Sequence, residues 1–297
     1  MCGIVGIYLK NKELNPRLGS FLAAMLVEMS DRGPDSAGIA LYRDPVSQSS
    51  CKLTLHAAGG FDWQSLQKGL ATYLESDVSL EILASHAVVI ASSDGTSLQE
   101  WLRTEYPELR VMSAGSAIEI YKEKGQPCDF VKEFKLDNLN GSHALGHTRM
   151  ATESAVTTEH SHPFSTGMDL CLVHNGSLSN HNRLRQQLKN EGVDIRTDND
   201  SEVAAGYLMW RLREGDQLEE ALDRALRDLD GFYTFAIGTK DGFAVLRDPI
   251  ACKPAVMAET DDWVAMSSEY RAIAQLPGSA NAAVWEPSPA TVYTWGH

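Results

Sequence analysis

The order of apolar patterns along the chain restricts the folds that it can form more than any other feature. A strand-like apolar run begins at Gly3, and strand-like runs dominate the first half of the chain. Residues 179–229 then carry three helical patterns, and from Gly231 onward the chain is again mainly strand-like. Strands, then helices, then strands indicate antiparallel sheets covered by helices rather than alternating β–α units. We therefore predict an α+β fold.

Residues from about 85 to 135 carry the pattern of a β-α-β insert. The apolar runs 87–91 and 117–121 are typical of strands, and the helical pattern 97–105 lies between them. The sequence contains no internal repeat, low-complexity tract or long linker. We therefore predict one domain over residues 1–297 that carries this insert.

Composition excludes several classes of partner. The net charge of -14 argues against nucleic acid, because proteins that bind it normally present a basic patch. No apolar run is long enough to cross a bilayer, and the start of the sequence lacks the pattern of a signal peptide. The five cysteines never form a CxxC pair, so we predict neither a disulfide framework nor a zinc knuckle. We expect a cytoplasmic protein with no nucleic acid and no membrane partner.

Cys2 is the first candidate for chemistry, because it becomes the N-terminal residue if Met1 is removed. Its thiol and its free α-amine would then have pKa values of about 8.5 and about 7.7–8.0. Near neutral pH the amine could accept the thiol proton, so Cys2 could be a nucleophile with its own general base. By position alone, an inert residue near a disordered start is an equally good interpretation.

Three further segments place polar groups at the ends of predicted elements. Arg149 follows a strand-like run, and a guanidinium can bind a carboxylate through two parallel hydrogen bonds. Asn175 and Gly176 end another strand, where an amide side chain and a backbone N–H could stabilise an oxyanion. An Asn-Gly pair is also typical of an ordinary turn. Asp200 begins a helix, where an acid is more often a cap than a ligand.

Taken together and in this order, the segments resemble the class II glutamine amidotransferases, which are N-terminal-nucleophile hydrolases. The resemblance extends along nearly the whole chain apart from the insert. Two weaker matches are Arg247–Pro249 and Ser267–Glu269. The six main motifs, in order, are Cys2–Gly6, Arg32–Gly38, Gly146–Thr152, His162–Phe164, Val173–Gly176 and Asp200–Glu202.

The resemblance implies a four-layer αββα sandwich of the N-terminal-nucleophile hydrolase type and a role for each matching residue. Cys2 would be the nucleophile, and Asn175 with Gly176 would form the oxyanion hole. Arg149 would bind the α-carboxylate of L-glutamine, and Asp200 its α-ammonium group. Four more residues of these motifs would shape the pocket: Arg32, Gly33, Thr152 and His162.

The chain departs from the family pattern in the loop expected to cover bound glutamine. Several family members have an aromatic residue where Met150 stands, and a His-Gly pair where Glu153 and Ser154 stand. These differences affect the residues expected to close over the substrate. Glu153 also places an acid near the proposed carboxylate site.

We predict no cofactor or metal site within this chain. The sequence has no phosphate-binding loop, no dinucleotide fingerprint and no cysteine cluster for iron–sulfur ligation. The histidines of the matching motifs lack the spacing of a metal-binding motif. The histidines that could in principle bind a metal are His147, His160, His162 and His174. We interpret His162 and His174 instead as residues that order loops.

No acceptor domain for the ammonia follows the last motif, so the protein is either a free glutaminase or passes ammonia to another polypeptide. We expect a separate subunit, because free release of ammonia would be wasteful. Residues 152–154, 160–164 and 174–180 are most similar to stand-alone amidotransferase subunits related to glutamate synthase. These include the GlxB type and the corresponding subunit of N-methylglutamate synthase. The resemblance implies a hetero-oligomer in which synthase subunits carry FMN and iron–sulfur clusters. The insert is a candidate docking surface, or alternatively a decoration that only enlarges the core.

Two other functions stay open at this point. The chain could be another N-terminal-nucleophile amidohydrolase, although the pair of Arg149 and Asp200 suits a free amino acid better. It could also be a non-catalytic glutamine-binding or regulatory subunit. The complete set of Cys2, Asn175 and Gly176 argues against that second alternative.

Overall fold

The computed structural model describes residues 2–151 and 155–296. Its strands are β1 (Gly3–Leu9), β2 (Ser36–Tyr42), β3 (Cys51–His56), β4 (Ser79–Leu83), β5 (His86–Ala91), β6 (Arg110–Gly115), β7 (Ile118–Lys124), β8 (His143–Arg149), β9 (Phe164–Ser165), β10 (Cys171–Leu178), β11 (Gly231–Thr239), β12 (Gly242–Arg247), β13 (Val256–Glu259), β14 (Trp263–Ser267), β15 (Ala283–Trp285) and β16 (Val292–Trp295). Its α-helices are α1 (Leu18–Glu28), α2 (Trp63–Leu74), α3 (Gly95–Glu105), α4 (Pro127–Glu133), α5 (His181–Asn190), α6 (Asp200–Arg213), α7 (Leu218–Asp228) and α8 (Tyr270–Ile273).

Two antiparallel sheets packed face to face form the centre of the fold. In the described residues, the larger sheet has the strand order β15-β13-β14-β1-β8-β2-β7, and the smaller has the order β16-β12-β11-β10-β9. Helices α1, α4 and α8 pack on the outer face of the larger sheet. Helices α5, α6 and α7 pack on the outer face of the smaller one. The predicted α+β fold with four αββα layers is therefore confirmed.

Strand β1 is central to the larger sheet and is buried on both faces. Val5 and Ile7 lie in the core against the helices, whereas Ile4 lies in the core between the two sheets. Burial on both faces explains why this run is apolar at successive positions instead of alternating with polar residues. Because β1 pairs with β14 on one side and β8 on the other, the chain start lies in the middle of the sheet.

A third sheet lies outside the four layers and comprises residues within 51–115. Its strand order is β4-β5-β3-β6, and helices α2 and α3 cover one face. These bounds differ from the predicted insert at about 85–135. Strand β7 instead pairs with β2 in the larger sheet, and α4 packs against α1. Alternation of apolar residues identifies 117–121 as a strand but carries no information about its partner. The predicted insert therefore both begins and ends too far along the chain.

Side-chain caps mark the N-terminal ends of helices α6 and α2. The side chain of Asn199 accepts a hydrogen bond from the backbone N–H of Ser201 at 2.9 Å, which caps α6. The side chain of Asp62 caps α2 in the same way through Gln64 and Ser65. In the part of the chain that the structure describes, no helix combines the length and apolar character that crossing a membrane requires.

Candidate active site

Cys2 lies at the N-terminal end of β1 and lines a cavity. This cavity has a volume of about 440 Å³. Cys2 is partly buried, and its Sγ lies 3.8 Å from the carbonyl oxygen of Met150, just beyond β8. Since strand pairing holds the residues that follow Cys2 on both sides, the position of the thiol is determined by the sheet.

Arg32 forms a hydrogen bond with the backbone of Cys2 but does not itself line the cavity. Its Nε donates to the carbonyl oxygen of Cys2 at 3.0 Å, and its Nη1 donates to Oε1 of Glu269 at 2.6 Å. Arg271 contacts the other oxygen of Glu269 at 2.8 Å. The hydrogen bond from Arg32, aided by the charge of Arg271, lowers the pKa of the Glu269 carboxyl group. Arg32 therefore contacts the chain start and is not among the described residues that line the cavity.

Gly33 occupies a position where the end of β8 passes close to the backbone. A Cβ atom at Gly33 would lie 2.3 Å from the carbonyl carbon of Thr148 and 2.5 Å from the nitrogen of Arg149. Two residues later, the backbone N–H of Asp35 donates to the carbonyl oxygen of Arg149 at 3.0 Å. The turn after α1 therefore positions Arg149, although Gly33 itself does not line the cavity.

Asn175 and Gly176 lie on β10, directly beside Cys2. The side-chain nitrogen of Asn175 donates to the carbonyl oxygen of Cys2 at 3.3 Å. Gly176 has a φ of 151°, and a Cβ atom there would lie 2.0 Å from the carbonyl oxygen of Phe232. This conformation and close approach require glycine. An amide side chain and a glycine backbone beside a thiol match the donor groups of an oxyanion hole.

Arg149 and Asp200 bring opposite charges to the same cavity. The side chain of Arg149 is largely buried, and its Nη1 donates to the carbonyl oxygen of Ala155 at 2.9 Å. Asp200 begins α6, where its Oδ2 accepts from the backbone N–H of Leu178 at 2.9 Å and its Oδ1 from the hydroxyl of Ser201 at 3.3 Å. A guanidinium and a carboxylate beside a thiol fit a ligand that carries both a carboxylate and an ammonium group.

Three buried histidines form an uncharged polar floor under these residues. The rings of His147 and His162 stack with centroids 4.1 Å apart, and Nδ1 of His162 accepts from the backbone N–H of His174 at 3.2 Å. Nδ1 of His174 lies 2.8 Å from the hydroxyl oxygen of Ser201. Burial lowers the pKa of all three imidazoles, and that of His147 to about 3. The floor is therefore neutral at pH 7.

The cavity brings together most of the residues predicted for the site. Its lining contains six of them: Cys2, Arg149, His162, Asn175, Gly176 and Asp200. Arg32 and Gly33 lie behind the lining and contact the residues that form it. Thr152 and Glu153 lie outside the described residues. The catalytic and binding roles assigned to the site residues stay predictions.

Several lining residues had not been predicted. Lys253 reaches the cavity from the loop after β12, and His181 reaches it from the start of α5. Asp198 lies two positions before Asp200, so its place in an acidic segment was the available signal. Nothing in the local pattern around Lys253 or His181 indicates a pocket, because both depend on how separate elements pack.

Metal ligation by the histidines was the main competing chemistry. Within residues 2–151 and 155–296, no group of three or more His, Cys, Asp or Glu side chains is arranged to hold a metal ion. His160 contacts a carboxylate instead, with its Nε2 3.0 Å from Oδ1 of Asp198. Of the four histidines considered, only His162 and His174 line the cavity among the described residues.

Comparison with known sequences identifies close relatives along the whole chain. A family model described as a glutamine amidotransferase domain matches residues 147–275. The chain is 53% identical to the glutamine amidotransferase-like protein GlxB of Rhizobium meliloti, across 100% of this chain and 99% of that protein. It is 29% identical to a putative glutamine amidotransferase of Methanothermobacter thermautotrophicus, across 99% of each.

Comparison with solved structures supports the same fold. The glutamine phosphoribosylpyrophosphate amidotransferase from B. subtilis matches with a TM-score of 0.63 and 20% sequence identity. The match covers 99% of this chain and 47% of that enzyme, so the chain spans about half of its length. At this identity the likeness concerns the fold alone.

Proposed function

The chain belongs to the class II glutamine amidotransferase family, and we propose that it hydrolyses L-glutamine to glutamate and ammonia with the thiol of Cys2 as the nucleophile. One observation carries the proposal. A single cavity is lined by Cys2, the Asn175–Gly176 pair, Arg149 and Asp200. These residues supply a nucleophile, oxyanion donors and a charge for each end of an amino acid.

Recognition of glutamine would depend on the two charged residues. The guanidinium of Arg149 would bind the α-carboxylate, and the carboxylate of Asp200 would bind the α-ammonium group. The backbone N–H of Leu178 already holds one oxygen of Asp200, so this carboxylate is oriented before the substrate arrives. Pre-orientation reduces the entropy that binding must otherwise remove.

The first chemical step forms a thioester. After removal of Met1, the α-amine of Cys2 takes the thiol proton, and the thiolate attacks the side-chain carbonyl carbon of glutamine. The new C–S bond leaves negative charge on the carbonyl oxygen, which Asn175 and the backbone of Gly176 would stabilise. The ammonium of Cys2 then gives its proton to the departing nitrogen as the C–N bond breaks.

The second step restores the enzyme. Water attacks the thioester carbonyl carbon, and the α-amine of Cys2 accepts a proton from that water. The negatively charged oxygen of the tetrahedral intermediate again accepts hydrogen bonds from Asn175 and Gly176. Breaking the C–S bond releases glutamate and returns the proton to sulfur. Arg32 supports both steps by holding the carbonyl group of Cys2.

Intact-mass measurement tests the nucleophile directly. The protein is incubated with 6-diazo-5-oxo-L-norleucine, a glutamine analogue that alkylates such thiols, and then mapped by peptide fragmentation. We expect loss of Met1 and a single adduct on Cys2, with none on the exposed thiol of Cys252. Retention of Met1, or no adduct with or without candidate partners, would favour a non-catalytic glutamine-binding subunit.

We further propose that the ammonia passes to a separate subunit related to glutamate synthase, which includes the N-methylglutamate synthase type. The full-length similarity to GlxB and the motif details of residues 160–164 and 174–180 support this proposal. FMN and iron–sulfur clusters would belong to the partner subunits. To test the transfer of ammonia, the chain is co-expressed with such subunits and supplied with glutamine labelled with ¹⁵N in its amide group. Label in the amino group of the synthase product supports the transfer, whereas label only in free ammonium contradicts it.

A further inference from the structure

Among the residues that the structure describes, two lysines are buried, and they make different contacts. Nζ of Lys52 lies 3.1 Å from Oε1 of Glu119, so this lysine forms a buried ion pair. Nζ of Lys122 donates instead to three backbone carbonyl oxygens, those of Glu159 at 3.3 Å, Ser161 at 2.9 Å and Pro163 at 3.2 Å. An ammonium group has three N–H donors, so this set of acceptors uses all of them.

The three carbonyl groups lie on the turn that carries His162. Residues 159–163 lead into β9, and the ammonium of Lys122 also lies 4.7 Å from the centre of the Phe164 ring. Alternate carbonyl groups of this turn point at one nitrogen on β7. One side chain therefore sets the path of the backbone on both sides of His162.

His162 connects this turn to the oxyanion donors. Its ring lines the cavity, and its Nδ1 accepts from the backbone N–H of His174, the residue before Asn175. The contacts thus run from Lys122 through the turn to His162, and from His162 to the strand position next to Asn175. Each link in this series is a hydrogen bond or a covalent neighbour.

The residues around the turn reinforce the same path. Arg110, on β6 of the third sheet, contacts Oε1 of Glu159 at 2.6 Å. Glu123, next to Lys122, accepts from the hydroxyl of Thr158 at 2.5 Å and from that of Ser85 at 2.9 Å. The turn is therefore bonded to β7 and to the third sheet together.

Burial of the Lys122 ammonium has an energetic cost, which its hydrogen bonds offset. Desolvation lowers the pKa of the ammonium to about 8, and the charges of Glu202 and Glu159 oppose this change. At pH 7 the group is still mainly charged, so its hydrogen bonds are charge-assisted and strong. A cavity of about 70 Å³ beside Lys122 also leaves room for a somewhat larger side chain.

We propose that Lys122 is a positioning residue of the site, whose ammonium fixes the turn 159–163 and, through His162, the strand end that carries Asn175. The kinetic part of this proposal rests on the proposed glutaminase function. Its structural part does not, because the path of the turn can be measured without turnover.

Hydrogen exchange at pH 7 tests the structural part. The backbone N–H of Ser161 donates to Thr158, and that of His174 donates to His162, so both report on the turn. In Lys122→Met, we expect both amides to exchange about tenfold faster or more, since a charged hydrogen-bond donor is lost from a buried site. Lys52→Met is the matched control, since it also removes a buried ammonium but leaves the turn untouched.

Kinetics tests the functional part. We expect kcat/KM for glutamine to fall about tenfold or more in Lys122→Met. It should stay within about threefold of wild type in Lys122→Arg, which keeps the charge and donors. Unchanged exchange at Ser161 and His174 in folded Lys122→Met would overturn the proposal. If Lys122→Met does not fold, Lys122→Arg decides, and fast exchange in that variant would overturn it. A wild-type protein without glutaminase activity would refute the proposed function but leave the exchange result valid.

Discussion

The side-chain amide nitrogen of Asn175 lies 3.3 Å from the backbone carbonyl oxygen of Cys2. This contact joins the second sheet to the start of the first, and it places an N–H donor beside the thiol. A donor so close to the nucleophile can meet the oxygen of a tetrahedral intermediate without rearrangement, which is the condition for an effective oxyanion hole.

Asn175→Ala should abolish most turnover and preserve substrate binding. We expect kcat for glutamine hydrolysis to fall by about 10²–10³, the usual effect of removing one oxyanion donor. Glutamine binding, measured by calorimetry, should change little because the charged residues remain. Asn190→Ala, at the end of α5 and away from the cavity, is the control and should retain wild-type kinetics. Near-normal turnover in Asn175→Ala would contradict the oxyanion role.

Asp200→Asn should weaken recognition of the substrate ammonium group. An amide oxygen can still accept from Leu178, so the fold should persist while the negative charge is lost. We expect KM for glutamine to rise about tenfold to hundredfold, as for the loss of a charged hydrogen bond. Glutaramic acid, which has no α-amino group, is the matched substrate. Wild type should discriminate against it, and the variant should not. Equal discrimination by both proteins would refute the role of Asp200.

Gly33→Ala should destabilise the protein and displace Arg149. The added methyl group would lie 2.3 Å from the carbonyl carbon of Thr148, so the backbone must shift. We expect the free energy of unfolding in urea to fall by about 1–3 kcal/mol, together with a higher KM for glutamine. Gly59→Ala is the control, because no atom other than those of its chain neighbours lies within 4 Å of the added Cβ. A Gly33→Ala protein with wild-type stability would show that the backbone contact is not as close as described.

Acid should destabilise the protein through the histidine floor. An unfolded histidine takes up a proton near pH 6.5, whereas His147 in the folded protein does so only near pH 3. Below pH 6.5 the unfolded state therefore binds more protons, and stability falls as pH falls. Between pH 7.5 and pH 5.5 we expect His147 to contribute a loss of about 1.4 kcal/mol to the free energy of unfolding.

Urea unfolding at pH 7.5, 6.5 and 5.5 measures this loss, and His147→Gln is the informative variant. Its free energy of unfolding should depend less on pH than that of wild type, by the contribution of one histidine. An identical pH dependence in the two proteins would mean that the His147 ring is not kept neutral by the fold. Carboxyl groups titrate mainly below this range, so they contribute little to the comparison.

The sequence by itself determined the types of element and the chemistry of the motifs. Apolar spacing predicted a helix at 97–105, which lies within α3, and the apolar run that begins at Gly3 predicted the strand that the structure shows as β1. Both signals are local, because the apolar periodicity of a helix or strand involves only residues that are close in sequence. The order of motifs also indicated the family. The type and order of residues such as Cys2, Asn175 and Gly176 can be read from the sequence without knowledge of their contacts.

The tertiary structure alone determined which of these residues contact one another and which other residues support them. Strand β7 could have paired with the third sheet, but its register with β2 places Lys122 under the turn 159–163. In the same way, Arg32 contacts Cys2 through the packing of a turn against a strand 30 residues away. Such contacts join residues distant in sequence, and local periodicity carries no information about strand partners. Which residues line the cavity is therefore determined by the pairing of strands and the packing of layers.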